Sequence, residues 1–251
     1  MNCPACNGTL YGYHGFLRCL DCGGVIINPS PKWEKEDCQK AWFENGKDWM
    51  AEIKAAREHY SKFWASPEVQ IVKSKLSGQV IHSFSDGFPY AECLLEPQKL
   101  IIHTNFAKEL QNLSPEIWDL FNSSFNPPQI EWADGWIECK QDWVMTAFHL
   151  FSRLQFEEIV RALDNLFGLV FIYQANPAKF MTHGWIHAVP YQQTFLSLPT
   201  WLKLLEPKAK ILAFGEYGDD LWLLADFGAK ADKETELLNN KEQDNIEEVE
   251  E

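Results

Sequence analysis

Two Cys-x-x-Cys pairs open the chain, Cys3-Pro-Ala-Cys6 and Cys19-Leu-Asp-Cys22. Thiolates are soft ligands, and four of them satisfy a tetrahedral zinc ion. The two-residue gap lets both sulfurs of a pair reach one ion. Gly8 after the first pair and Gly23-Gly24 after the second allow a tight backbone turn behind the second sulfur. The expectation is a zinc ribbon with Cys3, Cys6, Cys19 and Cys22 as ligands. Its Zn2+ is structural, because four thiolates leave no open coordination position. Disulfides would need an oxidising compartment, and Met1-Asn2 is too short to be a signal peptide ahead of Cys3. A redox pair of the thioredoxin type would follow a strand and come singly. The pattern therefore implies a reducing, cytoplasmic setting. Cys38, Cys93 and Cys139 are scattered and read as buried free thiols.

A chain of 251 residues, 46% of them hydrophobic, can hold one large domain and a small appendage. With 11 tryptophans and 17 phenylalanines the core should be rich in aromatics. No apolar run reaches the length of a membrane span. The formal net charge of −14 argues against broad binding to a nucleic-acid backbone. From Lys230 to Glu251 the chain carries nine acids against three bases and no aromatic residue, the composition of a disordered or frayed tail.

Asn28-Pro29-Ser30-Pro31 marks the end of the ribbon. Two helical stretches follow, and in the second Trp49, Ile53, Ala56, Tyr60 and Phe63 recur at helical spacing, a core-packing stripe. From residue 79 strands and helices alternate. Strands are expected over 79–84, 99–104, 129–133, 142–146 and 169–173, with helices over 89–95, from 105, over 115–121, over 156–167 and over 199–205. Two final strands, over 209–214 and 221–227, flank Gly215-Glu216-Tyr217-Gly218-Asp219-Asp220 as an antiparallel hairpin. Such alternation argues an α/β fold, a Rossmann-like doubly wound and mostly parallel sheet. The domain expectation is a zinc ribbon over 1–30, a helical connector over 31–77, the α/β domain over 78–229 and an acidic tail over 230–251. Ligands of such sheets bind beyond the carboxyl ends of the strands.

This order of parts is similar to the zinc-ribbon-containing class I S-adenosylmethionine-dependent methyltransferases. The specific pieces are the four-cysteine ribbon, the Asn28-Pro29 junction, and Trp185-Ile186-His187-Ala188-Val189-Pro190, which matches a His-containing loop near the substrate. The resemblance implies S-adenosylmethionine as cofactor and a sugar or other small metabolite as substrate. It implies a cofactor site built from Ser83, Ser85, Gly87, Asn105 and Asp134, with His187 and His183 as catalytic candidates. The chain departs from the family where the cofactor would lie. The family's first strand ends in an acid and a glycine-rich loop; here stands His82-Ser83-Phe84-Ser85-Asp86-Gly87-Phe88-Pro89. Its second strand ends in an acid that accepts from the ribose hydroxyls; here stands His103-Thr104-Asn105. Gln192 and Gln193 stand where the family often has Glu and His, and Phe151-Ser152 where it often has Glu-His.

His183 and His187 read equally as base or substrate contact and as loop histidines bonded to backbone. His82 and His103 end two strands at one edge, where they converge on a ligand or are satisfied beneath a loop. Three functions stay open: a methyltransferase with a divergent cofactor loop, an inactive methyltransferase-like scaffold or protein-partner subunit, and a ribbon-led nucleic-acid adaptor disfavoured by charge. Removal of residues 230–251 is expected to leave the melting temperature almost unchanged, since Leu237, Leu238 and Ile246 are the main apolar groups there. A fall of several degrees in a thermal melt would show that the tail docks.

Overall fold

The structure is a computed structural model. It describes residues 2–13, 16–27, 48–84, 88–103, 115–133, 144–151, 154–182 and 193–228. A seven-stranded sheet is built from β4 (Val80–Ser83), β5 (Lys99–Ile102), β6 (Ile130–Trp132), β7 (Val144–Phe148), β8 (Leu169–Ala175), β10 (Lys210–Tyr217) and β11 (Asp220–Asp226). Its order is β10-β11-β8-β7-β4-β5-β6. The pairs β4–β5, β4–β7, β5–β6 and β7–β8 are parallel, and β11 runs antiparallel to both β8 and β10. The chain winds outward from β4 to β6, then returns to β7, so the order reverses between β4 and β7. A doubly wound sheet opens its ligand crevice at such a reversal.

Period-two alternation covers both faces of this sheet. Phe171, Tyr173, Trp222 and Leu224 join Ile81, Leu100 and Ile102 in one core. Val170, Ile172, Leu221, Leu223 and Ala225 join Met145 and Ala147 in the other. The first face carries α1 (Trp49–Ala65), α2 (Gln70–Leu76), α3 (Tyr90–Cys93) and α4 (Pro115–Phe125). The second carries α5 (Phe156–Asp164) and α6 (Leu198–Leu205).

Helix α1 starts at Asp48, whose carboxylate accepts from the Ala51 N–H at 3.1 Å. Its stripe buries Ile53, Phe63 and Trp64, and the Trp64 indole donates to the Ala91 carbonyl at 2.9 Å, tying α1 to α3. Helix α5 starts at Gln155, whose N–H is accepted by the Glu158 carboxylate at 2.7 Å. The aromatic core expected from composition forms on the α1 face: Phe63, Trp64, Phe148, Phe171 and Tyr173 pack with centroids 4.6–6.5 Å apart.

A second, four-stranded sheet has the order β1-β2-β3-β9, from β1 (Leu10–Tyr13), β2 (Phe16–Cys19), β3 (Val25–Ile27) and β9 (Gln193–Phe195). Three of its strands belong to the cysteine-bearing segment. The fourth comes from the connection between β8 and α6, so a hydrogen-bonded strand crosses the expected boundary at residue 30.

The closing hairpin is tighter than expected. Strands β10 and β11 pair from Lys210↔Asp226 to Tyr217↔Asp220, so the loop is Gly218-Asp219 alone, with Gly218 at φ 58°. Gly215 lies within the strand opposite Trp222, and a Cβ there would sit 2.8 Å from the indole ring. The glycine makes room for a buried tryptophan rather than turning the chain. Gly215→Val is expected to destabilise the fold by about 1–3 kcal/mol through overpacking. Urea denaturation reads this as a lower midpoint at unchanged slope, and an unaltered midpoint would contradict it.

Candidate functional site

The four cysteines come together. Their sulfurs all lie within 4.8 Å of one another, with Cys3–Cys22 at 3.7 Å and Cys6–Cys19 at 3.4 Å. Thiolates around a tetrahedral zinc with bonds of about 2.3 Å sit about 3.8 Å apart, so the cage fits such an ion. The two pairs are built alike. Cys3 N–H donates to the Gly8 carbonyl and Cys19 N–H to the Gly24 carbonyl, while Asn7 N–H returns to Cys3 and Gly23 N–H to Cys19. The left-handed residue behind each pair is Asn7 at φ 60° and Gly23 at φ 74°. Gly8 therefore does not supply the turn in the first pair. It lets the Asp21 side chain approach, because a Cβ at Gly8 would lie 2.0 Å from the carboxylate that accepts from Thr9 N–H.

Burial pushes the Cys3 thiol up to about 12 and raises Cys22 as well. Burial acts the same way on Cys19, but the N–H groups of Cys22 and Asp21 outweigh it and hold that thiol near about 7. A cation in the cage would supply the charge that lets all four ionise.

Several described side chains are buried at the carboxyl ends of β4 and β7. Glu92 of α3 is fully buried there, and its Oε1 accepts from Ser83 Oγ at 2.7 Å and Thr146 Oγ1 at 3.0 Å. Phe84 is 2% exposed, and its ring stacks on the His103 ring at 4.3 Å with planes 20° apart. Phe88 is buried against Trp118, Phe121 and Tyr90. His82 Nδ1 and His103 Nε2 lie 2.8 Å apart. One ring donates and the other accepts, so a single hydrogen lies between the two nitrogens. Burial brings both histidines down to about 4, aided at His82 by its neighbour His103 and by Lys99 and opposed by Glu131.

A second polar cluster lies along the same edge. Tyr173, at the end of β8, donates to Asp220 Oδ2 at 2.7 Å, and its oxygen accepts from His59 Nε2 of α1 at 3.0 Å. Burial and the adjacent Asp220 carboxylate hold the Tyr173 hydroxyl protonated, well above the usual phenol range. His59 is exposed as a residue, yet its ring packs on Tyr60 and Tyr217 at 5.0 and 5.6 Å. Burial of the ring lowers its pKa, against the pull of Asp220. His149, just past β7, adopts φ 59° and sets its ring edge-on to Tyr173 at 5.4 Å.

Of the residues expected from the sequence to hold cofactor, Ser83 is described, and it bonds Glu92. Ser85, Gly87, Asn105 and Asp134 lie outside the described residues, as do the catalytic candidates His183 and His187. Phe151 is a core residue of the α5–α6 face. Sequence reasoning missed Glu92, although an acid inside the apolar stretch Tyr90-Ala91-Glu92-Cys93-Leu94-Leu95 was a signal of a buried polar role. It also missed the His59–Tyr173–Asp220 chain, whose members are 114 and 47 residues apart.

The structural neighbours are class I S-adenosylmethionine-dependent methyltransferases. An O-methyltransferase family 2 protein from Planctomyces limnophilus, in complex with apigenin, superposes with a TM-score of 0.52 at 12% identity over 79% of this chain. The match spans 63% of that protein, less than two thirds of its length. A possible histamine N-methyltransferase from Thermotoga maritima gives 0.46 at 10% identity, covering 77% of this chain and 99% of that one. An O-methyltransferase from neocarzinostatin biosynthesis, bound to S-adenosylmethionine and a naphthoic acid, gives 0.41 at 10% identity, covering 74% and 60%. No protein-family model and no curated protein matches the sequence. The fold is thus mixed α/β with a mostly parallel central sheet, consistent with a Rossmann-like methyltransferase. Among the described residues no helix is long and apolar enough to cross a membrane.

The histidine pair sets a pH dependence. The unfolded chain takes up protons near about 6.5 and the folded pair only near about 4. Stability is therefore full above about pH 6.5 and is lost as pH falls toward about 4, where the unfolded state binds more protons. Denaturation followed across that range should show the fall, and His103→Gln should flatten it. A slope identical in His103→Gln would show that other groups carry it.

Proposed function

We propose that this protein is a cytoplasmic, methyltransferase-fold subunit whose cofactor site is closed by its own side chains. It carries one structural zinc ion on Cys3, Cys6, Cys19 and Cys22 and serves as a scaffold or partner for another protein. The observation that carries this reading is the Phe84 ring stacked on His103 at 4.3 Å, at the carboxyl ends of β4 and β5. In the family that the sequence resembles, that place belongs to backbone glycines and to the acid that binds the ribose. A buried phenyl ring against an imidazole takes the volume of a sugar. Neither the neutral His82–His103 pair nor the bonded Ser83 hydroxyl replaces a carboxylate acceptor. A charged acceptor contributes roughly 1.5–3 kcal/mol against about 1 for a neutral one. The fully buried Glu92 side chain lies between β4 and β7 at the strand reversal, which supports the same reading. Exposed Tyr11 and Leu20, at 58% and 66%, give the ribbon apolar surface for a protein partner. Thiolate ligands of this kind suit a reducing compartment.

A second reading, methyl transfer to a sugar or small metabolite, is favoured by the His59–Tyr173–Asp220 chain beside His149. This cluster lies along the edge where a substrate would lie, and His59 could take a proton from a nucleophile there. S-adenosylmethionine would then supply an electrophilic methyl group, and Ser83, Ser85, Gly87, Asn105 and Asp134 would hold it, with His187 and His183 near the substrate.

Calorimetry with S-adenosylmethionine separates the two. No heat is expected at millimolar cofactor; a dissociation constant well under about 1 mM, equivalent to about −4 kcal/mol, replaces the scaffold reading with the enzyme reading. Elemental analysis is expected to give one zinc per chain, and less than half an equivalent in protein purified without chelator would remove the metal from the account.

A further inference from the structure

The cysteine cage is in contact with the α/β domain at the connection that leaves the carboxyl end of β8, and the ribbon holds that connection at both ends. At its start, Arg18 of β2 donates to the Pro177 carbonyl at 2.6 Å. At its end, β3 and β9 pair from Val25↔Phe195 to Ile27↔Gln193. Two residues past β9, Ser197 stands at the N-cap position of α6. Its hydroxyl makes no cap bond to the helix backbone; it donates to the Cys22 carbonyl at 2.5 Å and lies 3.0 Å from Thr200 Oγ1. Ser and Thr at that position ordinarily satisfy the first helical N–H groups. Here the hydroxyl is diverted to a residue that carries a cage sulfur.

The packing agrees. A Cβ on Gly24 would lie 3.3 Å from the Phe195 carbonyl oxygen and 3.5 Å from Cys22 Sγ, so the absent side chain is what brings β9 against the cage. Phe195 shares a small core with Phe16, Val25 and Ile27, and Ala175 at the end of β8 packs on it. On the other side Ala5, between the first two cysteines, packs into the α5–α6 core. The space left between the cage and the domain is a cavity of about 10 Å³, lined in part by Cys3, Cys22, Phe156 and Leu196. That is room for about one water.

We propose that metal occupancy of the four-cysteine cage sets the position of β9 and the start of α6. The ribbon is then a metal-dependent strap on the α/β domain rather than an independent module. The reason is geometric. Four thiolates repel one another unless a cation holds them, and the two contacts nearest the cage, Gly24 on Phe195 and the Cys22 carbonyl on Ser197, flank the second knuckle directly. Releasing that knuckle frees one partner of the β3–β9 pairs and of the Ser197 hydroxyl bond, and leaves the Leu196 carbonyl held by the Gln174 amide at 2.7 Å. The large sheet from β4 to β7 has no such dependence, because its partners are its own strands and helices.

This rests on the cage holding a metal, which zinc stoichiometry reads separately. The experiment is hydrogen exchange by mass spectrometry on the full chain, loaded with zinc and again after chelation. Protection over 193–205 is expected to fall about tenfold or more together with that over 2–27, while peptides over 80–83 and 144–148 keep theirs. Loss over 2–27 with protection over 193–205 intact overturns the proposal. Gly24→Ala supplies a second arm. The added methyl is tight against Phe195 but in ordinary contact with Cys22 Sγ. The variant should keep one zinc per chain and still lose protection over 193–195; full zinc with unchanged protection overturns the coupling. A chain that binds no zinc at all fails the metal reading and this proposal together, and the stoichiometry reports that first.

Discussion

A parallel sheet has to be covered on both faces, and the rest of this structure follows from that constraint. Strands β8 and β11 are apolar along nearly their whole length, so each sends large side chains into two separate cores. The aromatic residues gather on the α1 face, where rings stacked and tilted at 5–6 Å fill space that aliphatic chains would leave open. The α5–α6 face is mainly aliphatic, with Phe84, Phe151, Trp201 and Phe227 as its buried aromatics. With both faces covered, the carboxyl ends of the strands are where polar chemistry can collect.

At that edge the chain has spent its polar groups on itself. Ser83 and Thr146 both donate to Glu92 Oε1 between β4 and β7, and these bonds offset part of the cost of burying the carboxyl group. His82 and His103 share one hydrogen, and Phe84 covers His103. Among the described residues, the carboxyl ends of β4 and β5 are packed with buried side chains. Farther along, His59, Tyr173 and Asp220 tie α1 to β8 and β11, and His149 turns beside them in a conformation that costs energy outside glycine.

The cysteine-bearing segment depends on similar contacts. A segment of about thirty residues cannot bury a sufficient core alone. Here it gains one from outside: β9 completes its sheet, Phe195 completes its small core, and Arg18 and Ser197 bond across the junction. A cage of four thiols and a docked sheet edge each secure the other.

The sequence was most informative where a local rule had one solution. Two Cys-x-x-Cys pairs at this spacing converge on one point whatever surrounds them, and the helical stripe from Trp49 to Phe63 and the apolar run from Leu169 to Tyr173 each bury as their periods require. The alternation of strands and helices was enough for the doubly wound sheet. Local rules misassigned two glycines whose roles depend on a distant neighbour: Gly8 serves Asp21, and Gly215 serves Trp222. The pairing of β3 with β9, the burial of Glu92 between two strands and the joining of His59 to Asp220 through Tyr173 were decided by tertiary structure alone. Periodicity states which face of an element is apolar, but the partner that face or side chain meets is set by how the sheet is wound, and the winding brings together residues more than a hundred positions apart.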